Sequence, residues 1–575
     1  MLIWSGCCVH SPAVRANQPR GRLTKSGDER RQRLAGAAGR AADRSARVRS
    51  DLAAVRAVRR QARFPLSERA SGVLLHPTSL PAPWGCGDLG PSARAFAGFL
   101  ATAGQRFWQM LPVGPSGYGN SPYSAQSAFA GNPLLISLDA LVEDGLLEAP
   151  RPLPNKSRVD YAAAAGLRER ALRAAFARWS GERPRARNGR QRRERDRFEA
   201  FRGAHRPWLS DWALYRAIKK AQQETSWLRW PRELRLREPR AIARARRELK
   251  DDILFHEFEQ FLFDSQWRRL KAHCSALGVG LIGDLPLFVA HDSADVWAHR
   301  DLFQLDAEGD LAAQAGVPPD YFSADGQLWG NPLYRWGRMK RDGYSFWVNR
   351  LALLLERFDA IRLDHFIGFV RYWEIPAGAT TAKDGRFREG PGEDLFAAVR
   401  SALGELPLIA EDLGLVTRQV TALRDRLGLP GITILQFAFG TDPQAPTFLP
   451  HNYVRRTISY TGTHDNDTSV GWYREHRGGT RSPAQTERER RAARDYLKTD
   501  GEEIHWDMIR AVHASVAEQA IVPMQDLLGL GSEARMNHPG TSRGNWEWRL
   551  RPGQASARIA RRLAHLTAIY GRRIR

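Results

Sequence analysis

Cysteine is nearly absent from this chain: four in 575 residues, at Cys7, Cys8, Cys86 and Cys274. They are too few and too scattered for a disulfide framework and show no zinc-type spacing, so a reducing compartment is expected. Long apolar runs are missing as well. Residues 1–10 lack a basic start followed by a sustained hydrophobic stretch, and nothing later reaches the length of a membrane span. The expectation is a cytoplasmic protein with no membrane partner. Acid is short relative to base, 63 Asp and Glu against 87 Lys and Arg, which leaves a net charge of +24. That excess raises a nucleic-acid reading, yet no helix-turn-helix, zinc-finger or RNP pattern accompanies it. Much of it is also local. Residues 1–63 hold fifteen Lys and Arg against four Asp and Glu, and a second basic cluster runs from Arg183 to Arg197. Runs of this kind, poor in large apolar groups, are usually solvated. No nucleic-acid partner is expected, and residues 1–64 read as a basic, disordered extension.

What is present is enough for a large core: 42% hydrophobic residues, with 18 Trp. From about Ser71 short apolar runs alternate with helical stretches and Gly/Pro turns, the rhythm of βα units. Eight runs stand out: Gly72–Leu75, Phe107–Val113, Val279–Gly283, Asp359–Leu363, Leu406–Ala410, Ile432–Phe439, Thr457–Tyr460 and Ala520–Met524. Several are almost wholly apolar, as strands buried on both faces should be, which predicts an α/β fold: a closed (β/α)₈ TIM barrel over residues 65–575. Spacing predicts two insertions. Helical patterns between the second and third runs predict a helical subdomain at about residues 137–275, and a Gly-, Pro- and aromatic-rich stretch predicts a loop insertion at about 306–347 after the third.

Four of the runs lead into an acid: Asp284 after Leu281-Ile282-Gly283, Asp364 after Ile361-Arg362-Leu363, Glu411 after Leu408-Ile409-Ala410, and Asp465 after Tyr460-Thr461-Gly462-Thr463-His464. One acid after one strand is most often a helix N-cap. Four are different, because a (β/α)₈ barrel brings all strand C-termini to one face. Convergent carboxylates suit either a divalent metal or glycosyl transfer through an oxocarbenium-like transition state, and on chemistry alone both stand. Local context favours the second. Arg362 precedes Asp364 by two residues, on the same side of the strand, where its charge favours an ionised nucleophile and repels a metal. Glu411 ends an apolar run, where desolvation and neighbouring negative charge keep a proton on a general acid.

These strings are also specific. Ser71–Pro81, Asn120-Ser121-Pro122-Tyr123-Ser124, Gly283-Asp284-Leu285-Pro286, Pro318–Pro332, Ile361–Phe366, Ala410-Glu411-Asp412-Leu413-Gly414, Tyr460–Thr468 and Arg535–Thr541 occur in this order. On them the chain resembles the 4-α-glucanotransferases (amylomaltases, disproportionating enzymes) of the α-amylase superfamily, from about residue 66 to the C-terminus. The resemblance implies that Asp364 is the nucleophile, Glu411 the acid/base, and Asp465 a stabiliser that binds sugar hydroxyls. It implies further that Arg362 and His464 contact the nucleophile and the reacting sugar and that Asp284 and Tyr123 line the same cleft. Tyr321, Phe322, Gln327, Trp329 and Asn331 would lie in a loop over the glucan groove. Ile367 stands where the family commonly carries Arg. The implied partners are α-1,4-glucans and malto-oligosaccharides, with no metal and no organic cofactor. The residues alone do not choose between transfer, hydrolysis and silent binding; the resemblance chooses transfer.

Overall fold

The computed structural model describes residues 63–182, 189–319, 325–474, 482–541 and 543–573. Its strands in chain order are β1 (Ala70–Leu74), β2 (Phe107–Gln109), β3 (Gly280–Leu285), β4 (Ala313–Val317), β5 (Gln327–Pro332), β6 (Ala360–Leu363), β7 (Arg371–Pro376), β8 (Arg386–Glu389), β9 (Leu408–Ala410), β10 (Gly431–Ile434), β11 (Thr457–Tyr460) and β12 (Gln519–Pro523). Eight of them form one parallel sheet in the order β10-β11-β12-β1-β2-β3-β6-β9. Each of the eight apolar runs supplies one. Between β9 and β10 the Ala410 N–H donates to the Pro430 carbonyl at 2.9 Å and the Ile432 N–H to the Asp412 carboxylate at 3.0 Å. The sheet is thus a nearly closed (β/α)₈ barrel.

The barrel strands are buried throughout: every residue of β1, β2, β3, β6, β9, β11 and β12 is inaccessible. This two-sided burial is why their sequences read as continuous apolar runs. Some strands stop sooner than those runs. The apolar stretch after β10 turns into a 3₁₀ segment, Leu435–Phe439, because the chain leaves the ladder at the barrel mouth while its side chains remain in the core. At the opposite end Phe64 is only 2% exposed, lies 6.4 Å from the Phe107 ring and carries the Arg106 guanidinium at 4.4 Å. This residue, assigned by composition to the extension, therefore plugs the base of the barrel. Residues 1–62 lie outside the described residues.

Between β2 and β3 run helices Tyr161–Glu182, Gly189–Ala221, Pro239–Glu248 and Lys250–Ala276. The last packs on the barrel and holds the loop after β2 with two buried glutamines. Gln260 accepts from the Gly131 N–H at 2.7 Å and donates to its carbonyl at 2.9 Å, and Gln266 treats Ser137 the same way at 2.7 and 3.1 Å. Each amide mimics a strand neighbour, so a loop with no ladder of its own is satisfied inside the protein.

A second, antiparallel sheet has the order β5-β4-β7-β8. Half of it, β4 and β5, comes from the loop insertion after β3, and half from the segment that follows β6. Gln327–Pro332 reads as a turn-rich loop in sequence yet forms an edge strand, since pairing with β4 satisfies backbone groups that a loop would leave to solvent. Tyr321 and Phe322 lie outside the described residues. Among the described residues no helix is long and apolar enough to cross a membrane.

Candidate active site

Strand register makes the first contact. Asp284 on β3 lies directly opposite Arg362 on β6, and the Arg362 Nη1 donates to both Asp284 oxygens at 2.8 Å. The same nitrogen donates to Asp364 Oδ1 at 2.9 Å, while Nη2 stands 4.0 Å from Glu411 Oε2. One guanidinium thus joins three of the four strand-end acids. Burial of Arg362 opposes its charge, but the Asp284 and Asp364 carboxylates outweigh it and hold its pKa well above the usual value. The cation at the centre of the cluster is permanent.

Exposure then separates the acids. The Asp284 side chain is 0% exposed and sealed by the Tyr123 hydroxyl, which donates to it at 2.7 Å; Asp364 keeps 27% of its side chain open to the cleft. Asp364 is thus open to the cleft and Asp284 is covered. Burial, together with the Asp284 charge, pushes the Tyr123 phenol up, so it remains a donor.

Glu411 is gripped from two sides. Its Oε2 accepts from the His365 N–H at 2.7 Å and its Oε1 from the Leu413 N–H at 3.3 Å. Burial pushes this carboxyl up to about 8, with the Asp364 and Asp412 charges adding to the effect and Arg362 and the His365 N–H opposing it. These surroundings favour the protonated carboxyl.

Asp465 lies beyond β11 on a Thr/Gly loop. Its Oδ2 stands 3.3 Å from His464 Nε2, its Oδ1 accepts from Asn537 at 2.6 Å, and its carbonyl accepts from Arg535 at 2.6 Å. Burial alone would raise this acid, yet His464 and the Asn537 amide hold it below the usual carboxylate range. His464 stacks on Tyr123 with ring centroids 5.2 Å apart, and Trp546 leans on both at 5.8 and 6.0 Å. Asp465 is thereby joined to Asp284 through His464 and Tyr123.

From the second sheet, Trp329 reaches the site: its ring meets His365 edge-on at 5.0 Å and Phe288 at 6.2 Å, and it is 36% exposed. Gln327 accepts from the Trp329 indole at 3.2 Å. The Asn331 amide donates to the Val289 carbonyl at 2.8 Å. The residues not assigned a role from sequence are His365, Arg535, Asn537 and Trp546. His365 and Asn537 sit inside the motif strings, but nothing local marks their hydrogen bonds to residues 46 and 72 positions away.

Fold and site together define a class: a (β/α)₈ barrel with carboxylates at the strand ends arranged around one arginine. Comparison with known proteins narrows it. Residues 75–555 match the family model described as 4-alpha-glucanotransferase. The 4-alpha-glucanotransferase of Thermus thermophilus is 50% identical over 499 residues, covering 86% of this chain and 97% of that protein. That of Synechocystis sp. is 46% identical over 518 residues, covering 88% and 99%. Among solved structures, the amylomaltase from Streptococcus agalactiae in complex with acarbose superposes with a TM-score of 0.82 at 36% identity, covering 88% of this chain and all of that one. The chain belongs to the 4-α-glucanotransferase family and is a transferase.

Proposed function

We propose that the protein moves a segment of an α-1,4-glucan onto the 4-hydroxyl of an acceptor glucose or glucan by retaining double displacement. The observation that carries this reading is the division of labour around Arg362: an accessible acid paired to the cation, Asp364, beside a buried one that keeps its proton, Glu411. In the first step Glu411 protonates the leaving glycosidic oxygen while Asp364 attacks the anomeric carbon and forms a glycosyl ester. In the second, the Glu411 carboxylate takes the proton of the incoming 4-hydroxyl, which displaces Asp364 and restores the original configuration. Asp465, held ionised by His464, is placed to bind sugar hydroxyls. Partners on this reading are α-1,4-glucans and malto-oligosaccharides, with no nucleic acid and no membrane; no metal or organic cofactor takes part, and the compartment is the cytoplasm. Two described cysteines, Cys86 and Cys274, are free and buried, in keeping with a reducing environment. Incubation with maltotriose tests the activity: glucose plus longer oligosaccharides supports transfer, products only shorter than the substrate mean hydrolysis, and no change means a binder.

The acid role sets a pH dependence. Glu411 must be protonated for the first step, and its folded pKa of about 8 lies above its ordinary value, so the active form dominates below that pH and is lost above it. The rate of maltotriose disproportionation should fall about tenfold per pH unit beyond a basic limb near pH 8. A limb at ordinary carboxylate pH would remove Glu411 from the acid role.

Trp329 tests the choice of transfer over hydrolysis. Water must be kept from the ester while the acceptor enters, and a half-exposed indole on the rim beside His365 is placed to stack on a sugar and shield it. Trp329→Ala should weaken glucan binding by roughly 1 kcal/mol, the scale of an aromatic contact. It should also raise the fraction of turnovers ending in free reducing sugar. The competing role is packing, since Phe288 below it stacks on Tyr334 at 6.0 Å. A lowered melting temperature with an unchanged product ratio would assign Trp329 to that core.

A further inference from the structure

The turn after β6 does more than carry Asp364. His365 is a non-glycine residue in the left-handed region, φ 52° and ψ 51°, which side chains other than glycine seldom adopt. That conformation lets two successive N–H groups converge on one residue of another strand: His365 donates to the Glu411 side chain at 2.7 Å and Phe366 to the Glu411 carbonyl at 2.9 Å. Asp364 and Glu411 are therefore held on a single backbone clasp. The imidazole is what packs there. On one side it rests on bare backbone at Gly368, where a Cβ would stand 2.9 Å from its Cδ2; on the other it meets the Trp329 ring at 5.0 Å. Burial lowers its pKa against the pull of Asp364, so the ring is neutral and adds no charge beside the acid.

We propose that His365 is a positioning residue: its imidazole, seated between Gly368 and Trp329, keeps the left-handed turn that aims its N–H at Glu411 Oε2, and so ties the orientation of the acid/base to the second sheet. The proposal rests on the acid/base reading of Glu411. A hydrogen bond from an N–H favours the ionised carboxyl, so loosening the clasp strengthens proton binding and also frees the side chain to swing from the leaving oxygen. The other groups that face Glu411 are Arg362 and Asp364 from β6, Tyr460 from β11, and Asp412, which Arg424 holds at 2.6 Å. A change at His365 removes none of these groups, so a moved basic limb reads the geometry of the clasp.

The test is the pH profile of maltotriose disproportionation for His365→Ala and His365→Asn, the second because Asn tolerates the left-handed region. His365→Ala should lower kcat tenfold or more, change KM less than about threefold, and move the basic limb upward by several tenths of a pH unit. His365→Asn should recover part of the limb position, since it keeps the turn without the indole contact, and Trp329→Ala should move the limb in the same direction by less. A loss confined to KM with the limb in place would make the imidazole a sugar contact only and overturn the proposal. If His365→Ala fails to fold, His365→Asn carries the same readout, and a wild-type limb in it overturns the proposal. Glu411→Gln, assayed with α-glucosyl fluoride because that leaving group needs no proton, keeps the two readings apart. Loss of maltotriose turnover in Glu411→Gln with first-turnover fluoride release retained upholds Glu411 as the acid, so that an unmoved limb in the His365 variants sinks the clasp alone; equal loss on both substrates sinks the acid/base assignment itself.

Discussion

Asp364→Asn should fold as the wild type does and turn over less than a hundredth as fast. The substitution is nearly isosteric, and its amide oxygen still accepts from Arg362, which donates at 2.9 Å in the structure, so the cluster keeps its geometry. What disappears is the attacking carboxylate, and neither other acid on this arginine replaces it, Asp284 being sealed and Glu411 protonated. Loss of a covalent nucleophile removes several kcal/mol of transition-state stabilisation, and each 1.36 kcal/mol is tenfold in rate, so about a hundredfold is a lower bound. Trapping is the stricter measurement. Mass spectrometry of enzyme quenched during turnover of an activated glucosyl donor should find the adduct on the peptide bearing Asp364. An adduct on another peptide, or residual activity above a hundredth, would transfer the role elsewhere.

The second large effect belongs to Arg362→Met. Its guanidinium is 5% exposed and is the counter-charge of an Asp284 side chain with no exposure at all, whose other contact is a neutral phenol. Removing one partner of a buried pair strands the other, a cost of about 3–5 kcal/mol, where removing both together costs much less. Arg362→Met should thus lose roughly that much stability at pH 7 in urea unfolding, and Arg362→Met combined with Asp284→Asn should regain most of it. The sign of the pH dependence follows. Burial already raises the Asp284 pKa with the cation in place, and without it the folded carboxyl binds its proton more tightly still, so the variant is relatively more stable at low pH and loses more stability than the wild type as pH rises through the folded pKa. Activity should fall by about 10²–10³ in both variants, because Asp364 loses its charge partner in each. Equal stability of the single and double variants would show that Arg362 does not compensate Asp284.

Parts of this enzyme are plain in the sequence for physical reasons. A strand buried on both faces cannot afford polar residues along its length, so β1, β3, β6, β9, β11 and β12 appear as apolar runs. An acid at the end of such a run is conspicuous, and parallel topology carries every such end to one face. That is how Asp284, Asp364, Glu411 and Asp465 were found. The second sheet is not legible in the sequence: the segment after β3 stands out by composition only as a loop insertion, β7 and β8 join it because the loop after β6 folds across, and no local pattern records a pairing between separate loops. The Gln327–Pro332 segment reads as a loop for the same reason.

By itself, then, the sequence determined the barrel, the acids and the arginine between them, since burial on two faces and strand ends on one rim are written residue by residue. Only the tertiary structure decided how the acids differ in exposure and in hydrogen bonding. Asp284 inside β3 and Asp364 one residue past β6 carry the same side chain, and they differ because the Tyr123 hydroxyl closes over the first while the second stays open to the cleft. Glu411 holds its proton because of what surrounds it, and its orientation comes from a backbone N–H in a left-handed turn at His365, a conformation that the residue type does not announce. Asp465 is held ionised by His464 beside it and by Asn537 from a loop 72 residues on. Desolvation and hydrogen bonding act through space, and which groups share that space is settled only when the chain has closed on itself.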